Sequence, residues 1–153
     1  MSIAAIPEGF HTLTPSLVVD GAARAMELYT KAFGATELYR MPCLDTGKIM
    51  HACVQIGSSK IFLTDLNPQM GCATASSSSF YVYLDDVDAA FRRAVQAGLQ
   101  EKFPVTDMFW GDRTGCVKDP FGISWTLASH VRDVSPQEME EGRKKFMAQK
   151  AAA

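Results

Sequence analysis

Leu17-Val18-Val19-Asp20, followed by an amphipathic run that ends at Gly34, returns about 65 residues later as Val82-Tyr83-Leu84-Asp85, a second amphipathic run and Gly98. Strand-like stretches follow each run and close in a hairpin, first around Gly57-Ser58 and then at Asp119-Pro120-Phe121-Gly122. The repeat describes a duplicated βαβββ unit, so an α+β protein of two modules is expected. Residues 1–66 are read as the first module, 67–78 as a small, polar linker, 79–134 as the second module, and 135–153 as a C-terminal helix and tail.

Periodicity supports the reading. Over residues 21–33, Ala22, Ala25, Met26, Tyr29, Ala32 and Phe33 recur at helical spacing while Arg24, Glu27 and Lys31 fall outside the stripe, so one face is suited to a sheet. Asp20 is the expected cap and Gly34 the stop. Residues 87–97 repeat the pattern with Val87, Ala90, Phe91, Ala94 and Val95, capped by Asp85 or Asp86. Strands are expected over 11–19, 36–41, 48–56 and 59–66, and again over 79–84, 100–109, 113–118 and 123–130. Asp119-Pro120-Phe121-Gly122 has the residues of a type I turn and predicts that Lys118 pairs with Ile123. Ser135-Pro136-Gln137-Glu138 signals a capping box and a last helix over 136–149, which docks Met139, Phe146 and Met147 on the body or on a partner.

The chain has 153 residues, 47% of them hydrophobic and 21% charged, with a formal charge of −2. That is enough apolar material for a sizeable core, and it lacks the clustered basic face that nucleic acid or an anionic membrane would want. No basic flank with a long apolar run opens the sequence and no run approaches a membrane span, so a cytoplasmic protein is expected. Cys43, Cys53, Cys72 and Cys116 contain no C-x-x-C pair; reduced thiols are expected, with Cys53 and Cys116 packing as small apolar residues.

Alternation along the strands sorts a helix-facing side from an open side. Ile61, Leu63, Ile123, Trp125 and Leu127 want the helices, which leaves Phe62, Thr64, Ser124, Thr126 and Ala128 on the open side. The hairpin registers place Phe62 opposite Cys53, Thr64 opposite His51, Thr126 opposite Gly115 and Ala128 opposite Arg113, so His51 and Arg113 face the open side unless a register slips by one. Two cupped sheets with helices outside leave a trough inside, where a small, partly apolar ligand would sit. Leu13, His51, Phe62, Thr64, Phe80, Trp110, Arg113 and Thr126 are its expected lining, with Tyr81 and Tyr83 assigned to the helix side. His51 is the best catalytic candidate, since an imidazole exchanges protons near neutral pH; a trough-lining histidine bonded to a backbone carbonyl is the alternative. In Phe109-Trp110-Gly111-Asp112-Arg113, Trp110 would wall the trough, Arg113 would take an anionic group and Asp112 would hold Arg113.

The stretches TPSLVVDGAARAMELYTKAFGA (14–35), MHACVQIGSSKIFLTD (50–65) and FWGDRTGCVKDPFGISWTLASH (109–130) resemble the vicinal oxygen chelate superfamily of glyoxalases, bleomycin-resistance proteins and extradiol dioxygenases, in its PhnB-type branch. The resemblance implies a divalent metal held by four side chains, at positions occupied here by Leu13, Phe62, Ser78 and Thr126. None of these is a good ligand for such a metal. His11 and His130 lie two and four residues from those positions, roughly 7 and 13 Å along a strand. No cofactor is therefore expected, with a divalent metal as the open alternative. The function expected is small-molecule binding without a metal, in the manner of the bleomycin-resistance proteins; the alternative is a metal-dependent glyoxalase-like lyase, isomerase or extradiol dioxygenase. A homodimer is the expected assembly, and the linker is long enough for a swapped one.

Overall fold

The computed structural model describes residues 2–153. The first module runs β1 (Ser16–Val19), α1 (Ala22–Phe33), β2 (Thr36–Pro42), β3 (Ile49–Ile56) and β4 (Ser59–Asp65). The second runs β5 (Ser78–Tyr83), α2 (Val87–Gln96), β6 (Gln100–Asp107), β7 (Asp112–Lys118) and β8 (Ile123–His130), followed by α3 (Pro136–Ala152). Each module forms its own four-stranded sheet, in the orders β1-β4-β3-β2 and β5-β8-β7-β6. In both, the first and last strands are parallel and the other pairs antiparallel. The duplicated α+β architecture expected from the repeat is what the chain adopts.

The helix stripe and the strand alternation meet in one core. Ala22, Ala25, Met26 and Tyr29 of α1 are buried with Leu17, Val19, Val54 and Leu63 beneath them, and the same cluster continues into Phe91, Val117, Trp125 and Leu127 of the second module. Gly115 lets α2 sit close to its sheet, because a Cβ there would lie 2.7 Å from the Phe91 ring.

Three contacts lock the modules together. Trp125 packs on Tyr29 and Phe33 of α1 at 5.1 and 4.7 Å. Arg93 of α2 donates to the Lys31 and Thr30 carbonyls at the end of α1, at 2.7 and 3.3 Å, where a cation also suits the helix dipole. Asp119, 4% exposed, accepts from the Tyr29 hydroxyl at 2.6 Å, the Trp125 indole at 3.0 Å and the Phe121 and Ile123 amides at 2.9 Å each. Burial, reinforced by the Asp119 charge, pushes the Tyr29 hydroxyl far above its usual range. The aspartate of the second hairpin turn is thus the joint between the two halves.

Four details differ from the sequence expectation. First, β1 begins at Ser16 instead of residue 11, because the preceding segment folds back and sets Phe10 against Phe62, 5.8 Å between centroids. Second, Asp20 does not cap α1; Gly21 takes the cap position without a side-chain bond, and Asp65 at the end of β4 accepts from the Gly21 and Ala22 amides at 3.1 and 2.8 Å. The Asp86 cap of α2 and the Ser135–Glu138 capping box of α3 form as read. Third, the second hairpin pairs Lys118 with Ser124, not Ile123, since the amide of Asp119 donates to the Ile123 carbonyl and the loop is one residue longer than a type I turn. Fourth, β5 pairs Ser78 with Ile123 and Phe80 with Trp125, which puts Tyr81 and Tyr83 on the open side.

Between the modules, the Asn67–Cys72 bridge and a short turn at Pro68–Met70 lead to Ser76, whose amide and hydroxyl bond Val18 of β1 at 2.8 and 2.9 Å. The chain then turns into β5. No helix of the described residues is long and apolar enough to cross a membrane.

Candidate functional site

The one-residue longer hairpin decides what the second sheet presents. With Arg113 opposite Ser129, the arginine faces α2, where it is held by Asp88 at 2.9 and 3.0 Å and by Asp107 at 3.1 Å. It is not available to a ligand in the trough, and its expected partner Asp112 is turned to the other face. The same register puts Phe80 on the helix side, 5.2 Å from Trp125; it borders the cleft only from the core.

Asp112 becomes the centre of the open face. It is 3% exposed and accepts from the Tyr81 hydroxyl at 2.7 Å, the Tyr83 hydroxyl at 3.0 Å and Nδ1 of His130 at 2.7 Å. The Tyr81 oxygen in turn accepts from the Trp110 indole at 3.1 Å, and Nε2 of His130 meets Asp133 at 2.8 Å. Burial works to raise the Asp112 carboxyl, but the three donors together outweigh it and hold the group below its usual value. Burial, aided by the Asp112 bond, pushes the Tyr81 hydroxyl up to about 12. His130 is raised by its bonds to Asp133 and Asp112. Gly111 makes the approach possible, because with φ of 97° any Cβ would run into the Arg132 carbonyl.

The first sheet's open face is different. His51 meets the Tyr39 hydroxyl through Nε2 at 3.0 Å and stands edge-on to Phe62 at 4.6 Å. Cys53, fully buried and opposite Phe62 as expected from the hairpin, has its thiol pushed up by burial, which disfavours the thiolate a nucleophile needs. Phe10 lies over Phe62, and Lys60 rests 4.2 Å above the Phe10 ring.

A cleft of about 490 Å³ opens beside these surfaces, between the edge strand β5 and the first module's β3–β4 hairpin with the segment that precedes β1; His51, Phe62, Asp112 and Trp110 do not border it. Phe10, Leu13 and Lys60 lie on its first-module side, Tyr81 and Tyr83 on the other, and Phe33 and Trp125 at its floor. Of the residues expected to line a trough, Leu13 is at the cleft, 86% exposed and outside β1. Trp110 does not border the cleft; its indole donates to the Tyr81 hydroxyl on the second open face. His51, Phe62 and Thr64 share the first open face, Thr126 lies on the second beside Tyr81, and Phe80 and Arg113 belong to the helix side. Tyr81, Tyr83, Asp112 and His130 come together on the second open face although the sequence alternation does not group them. Residues 80–84 are apolar throughout, so the alternation there carries no parity, and one residue of hairpin length reversed the rest.

The side chains do not fit the divalent metal that the resemblance implies. Leu13 precedes β1 and Ser78 faces the helices; the cross-strand pairs at the centre of the two open faces are Ser16 with Phe62 and Tyr81 with Thr126. None brings an imidazole or a carboxylate. Among the described residues no three His, Cys, Asp or Glu side chains converge as a metal site would require.

Residues 9–127 match the model of the Glyoxalase/Bleomycin resistance protein/Dioxygenase superfamily. An uncharacterized protein of Mycobacterium tuberculosis is 42% identical over 137 residues, covering 84% of this chain and 79% of its own length. Among solved structures, TioX from Micromonospora sp. ML1 superposes with a TM-score of 0.67 at 26% identity over 80% of this chain and all of TioX. A PhnB protein from Bacillus cereus shares the fold, with a TM-score of 0.62 at 19% identity over 78% of this chain and 99% of its own. Family match and architecture agree: the chain belongs to the glyoxalase/bleomycin resistance/dioxygenase superfamily.

Proposed function

We propose that this protein binds a small, partly apolar molecule in the cleft between β5 and the β3–β4 hairpin, without a metal at the family's usual positions. The observation that carries the reading is the cleft itself: about 490 Å³, bordered by Phe10, Tyr81 and Tyr83 with Phe33 and Trp125 between them, and with Lys60 and His11 among its polar side chains. Ligand sites of this size are mostly apolar with a few placed polar groups. The test is a thermal-shift screen of flat aromatic compounds on the purified protein, with elemental analysis alongside. A ligand that binds only the native state raises the melting temperature. Stoichiometric zinc, nickel, iron or manganese would overturn the reading in favour of a metal-dependent lyase, isomerase or dioxygenase.

The protein is further proposed to act as a cytoplasmic homodimer. Leu38, Tyr39 and Met41 of β2, with Leu44 and Met50 beside it, are all exposed, and soluble monomers rarely leave large apolar patches uncovered. Sedimentation at micromolar concentration tests this, with a monomer as the opposing result.

A further inference from the structure

The cleft between β5 and the β3–β4 hairpin carries a lysine and no carboxylate. Among the described residues that line it there is neither an aspartate nor a glutamate. Lys60 lies half-buried near the start of β4, and no carboxylate of the described residues stands within ion-pair distance of its ammonium. The segment before β1 holds it at the cleft. Gly9, at φ 78°, passes so close that an added Cβ would lie 2.5 Å from Nζ, and the Phe10 ring that follows sits 4.2 Å from Nζ, itself packed on Phe62. An ammonium has three N–H donors, and one ring face occupies a single direction of approach. A lysine head ordinarily extends past its apolar stem into water; this one is drawn back over a ring, where a nearby anion is screened less than at an open surface. The hydroxyls of Thr14, Ser58 and Ser59 border the same cleft and add groups able to donate. The negative charge of Asp112 is engaged on the second open face by Tyr81, Tyr83 and His130.

We infer that the cleft selects an aromatic anion, such as an aryl carboxylate, whose acidic group bonds the Lys60 ammonium while its ring packs on the aromatic side chains of the cleft. The inference rests on the cleft being a small-molecule site. It adds the sign of the ligand's charge and the residue that reads it: a carboxylate completes the donors of Lys60, whereas a ligand ammonium would meet a like charge with no carboxylate in the lining to offset it.

Isothermal titration with three compounds of similar shape tests it: 1-naphthoate, 1-naphthylmethanol and 1-naphthylmethylamine, at neutral pH. The expected order is carboxylate, alcohol, amine, with about tenfold between the first and last, the scale of one charge-assisted hydrogen bond. Lys60→Met keeps most of the stem and removes the charge, so it should bring the three compounds level in a variant whose circular dichroism is unchanged. Lys60→Arg should keep the order, because a guanidinium also pairs with a carboxylate. Lys118→Met, at an exposed lysine outside the cleft, should keep it too. A salt titration of the wild type reads the same charge without a substitution: the lead of the carboxylate should shrink as salt rises. Equal binding of the three by the wild type, a preference for the amine, or a carboxylate preference that survives Lys60→Met or is indifferent to salt overturns the anion rule and leaves the cleft as a ligand site. No binding by any of the three at millimolar concentration overturns both.

Discussion

The two modules share a backbone plan and put it to opposite uses on their open faces. In the first, β1 presents Ser16 and Val18 outward, small side chains that leave room for Phe10 to fold over Phe62, so the chain covers its own sheet. In the second, Tyr81 and Tyr83 stand at the corresponding places on β5, tied down to Asp112, and nothing among the described residues lies across them as Phe10 does. The hairpins diverge in the same way. Gly57-Ser58 is a two-residue turn between Ile56 and Ser59, whereas the second turn carries Asp119 into the core as the acceptor for the first module's Tyr29. Duplication supplies the frame, and polar residues at the second copy's turns and edge make that copy both the joint and the exposed wall.

Removing the joint is the harshest way to break that asymmetry. Asp119→Ala leaves the Tyr29 hydroxyl and the Trp125 indole without their acceptor in the core, together with two turn amides. The expected cost is about 3–5 kcal/mol in urea unfolding, while Ser58→Ala at the other hairpin should stay within about 0.5 kcal/mol. A loss under 1 kcal/mol for Asp119→Ala would mean the modules do not depend on this carboxylate.

The helix starts give a finer comparison, because each module ties its helix to the end of its last strand. Asp65 accepts three amides, those of Gly21, Ala22 and Ile49. Ser129 accepts one, from Val87 at 3.0 Å, and donates to the Leu84 carbonyl at 2.7 Å. Asp65→Ala should cost about 2–3 kcal/mol and Ser129→Ala about 1 kcal/mol. Equal losses in denaturant titrations would show that number and charge of the bonds are not what separates the two caps.

The repeat made the fold legible, because helix periodicity, strand alternation and glycine stops all agreed with one another. Phe62 opposite Cys53 was legible too, since the two-residue turn at Gly57-Ser58 has one natural register. The candidate site was not. Asp119-Pro120-Phe121-Gly122 has the residue types of a four-residue turn, but its aspartate is drawn inward by Tyr29 and Trp125, contacts about 90 and 6 residues away in sequence, and the loop takes one more residue to reach them. Because side chains alternate with a period of two, that single residue sent Arg113 to the helices and Asp112 to the open side. Local turn chemistry could not foresee a tertiary partner.

The pH dependence of the second face separates it from the first without mutating its centre. His130 holds its proton more tightly when folded than when unfolded, because of Asp133 and Asp112. Its contribution is therefore complete below the ordinary imidazole value of 6.5 and fades as pH rises through the higher folded value. Wild type should lose a small amount of stability across that interval, and His130→Gln should flatten the loss. A slope unchanged by the substitution would place the titration elsewhere.

The smallest effect belongs to the covered face. Phe10→Ala removes the ring stacked between Phe62 and Lys60. The segment is partly exposed and its aromatic pair is worth about 0.5–1.5 kcal/mol beyond area, so a loss of about 1 kcal/mol is expected, well below that of Asp119→Ala. The informative readout is proteolysis near residues 7–15, which should accelerate in the variant because few other contacts hold the segment to the sheet. Unchanged cleavage would mean that Phe10 is not the anchor, and that the small residues of β1 leave room which the chain does not depend on filling.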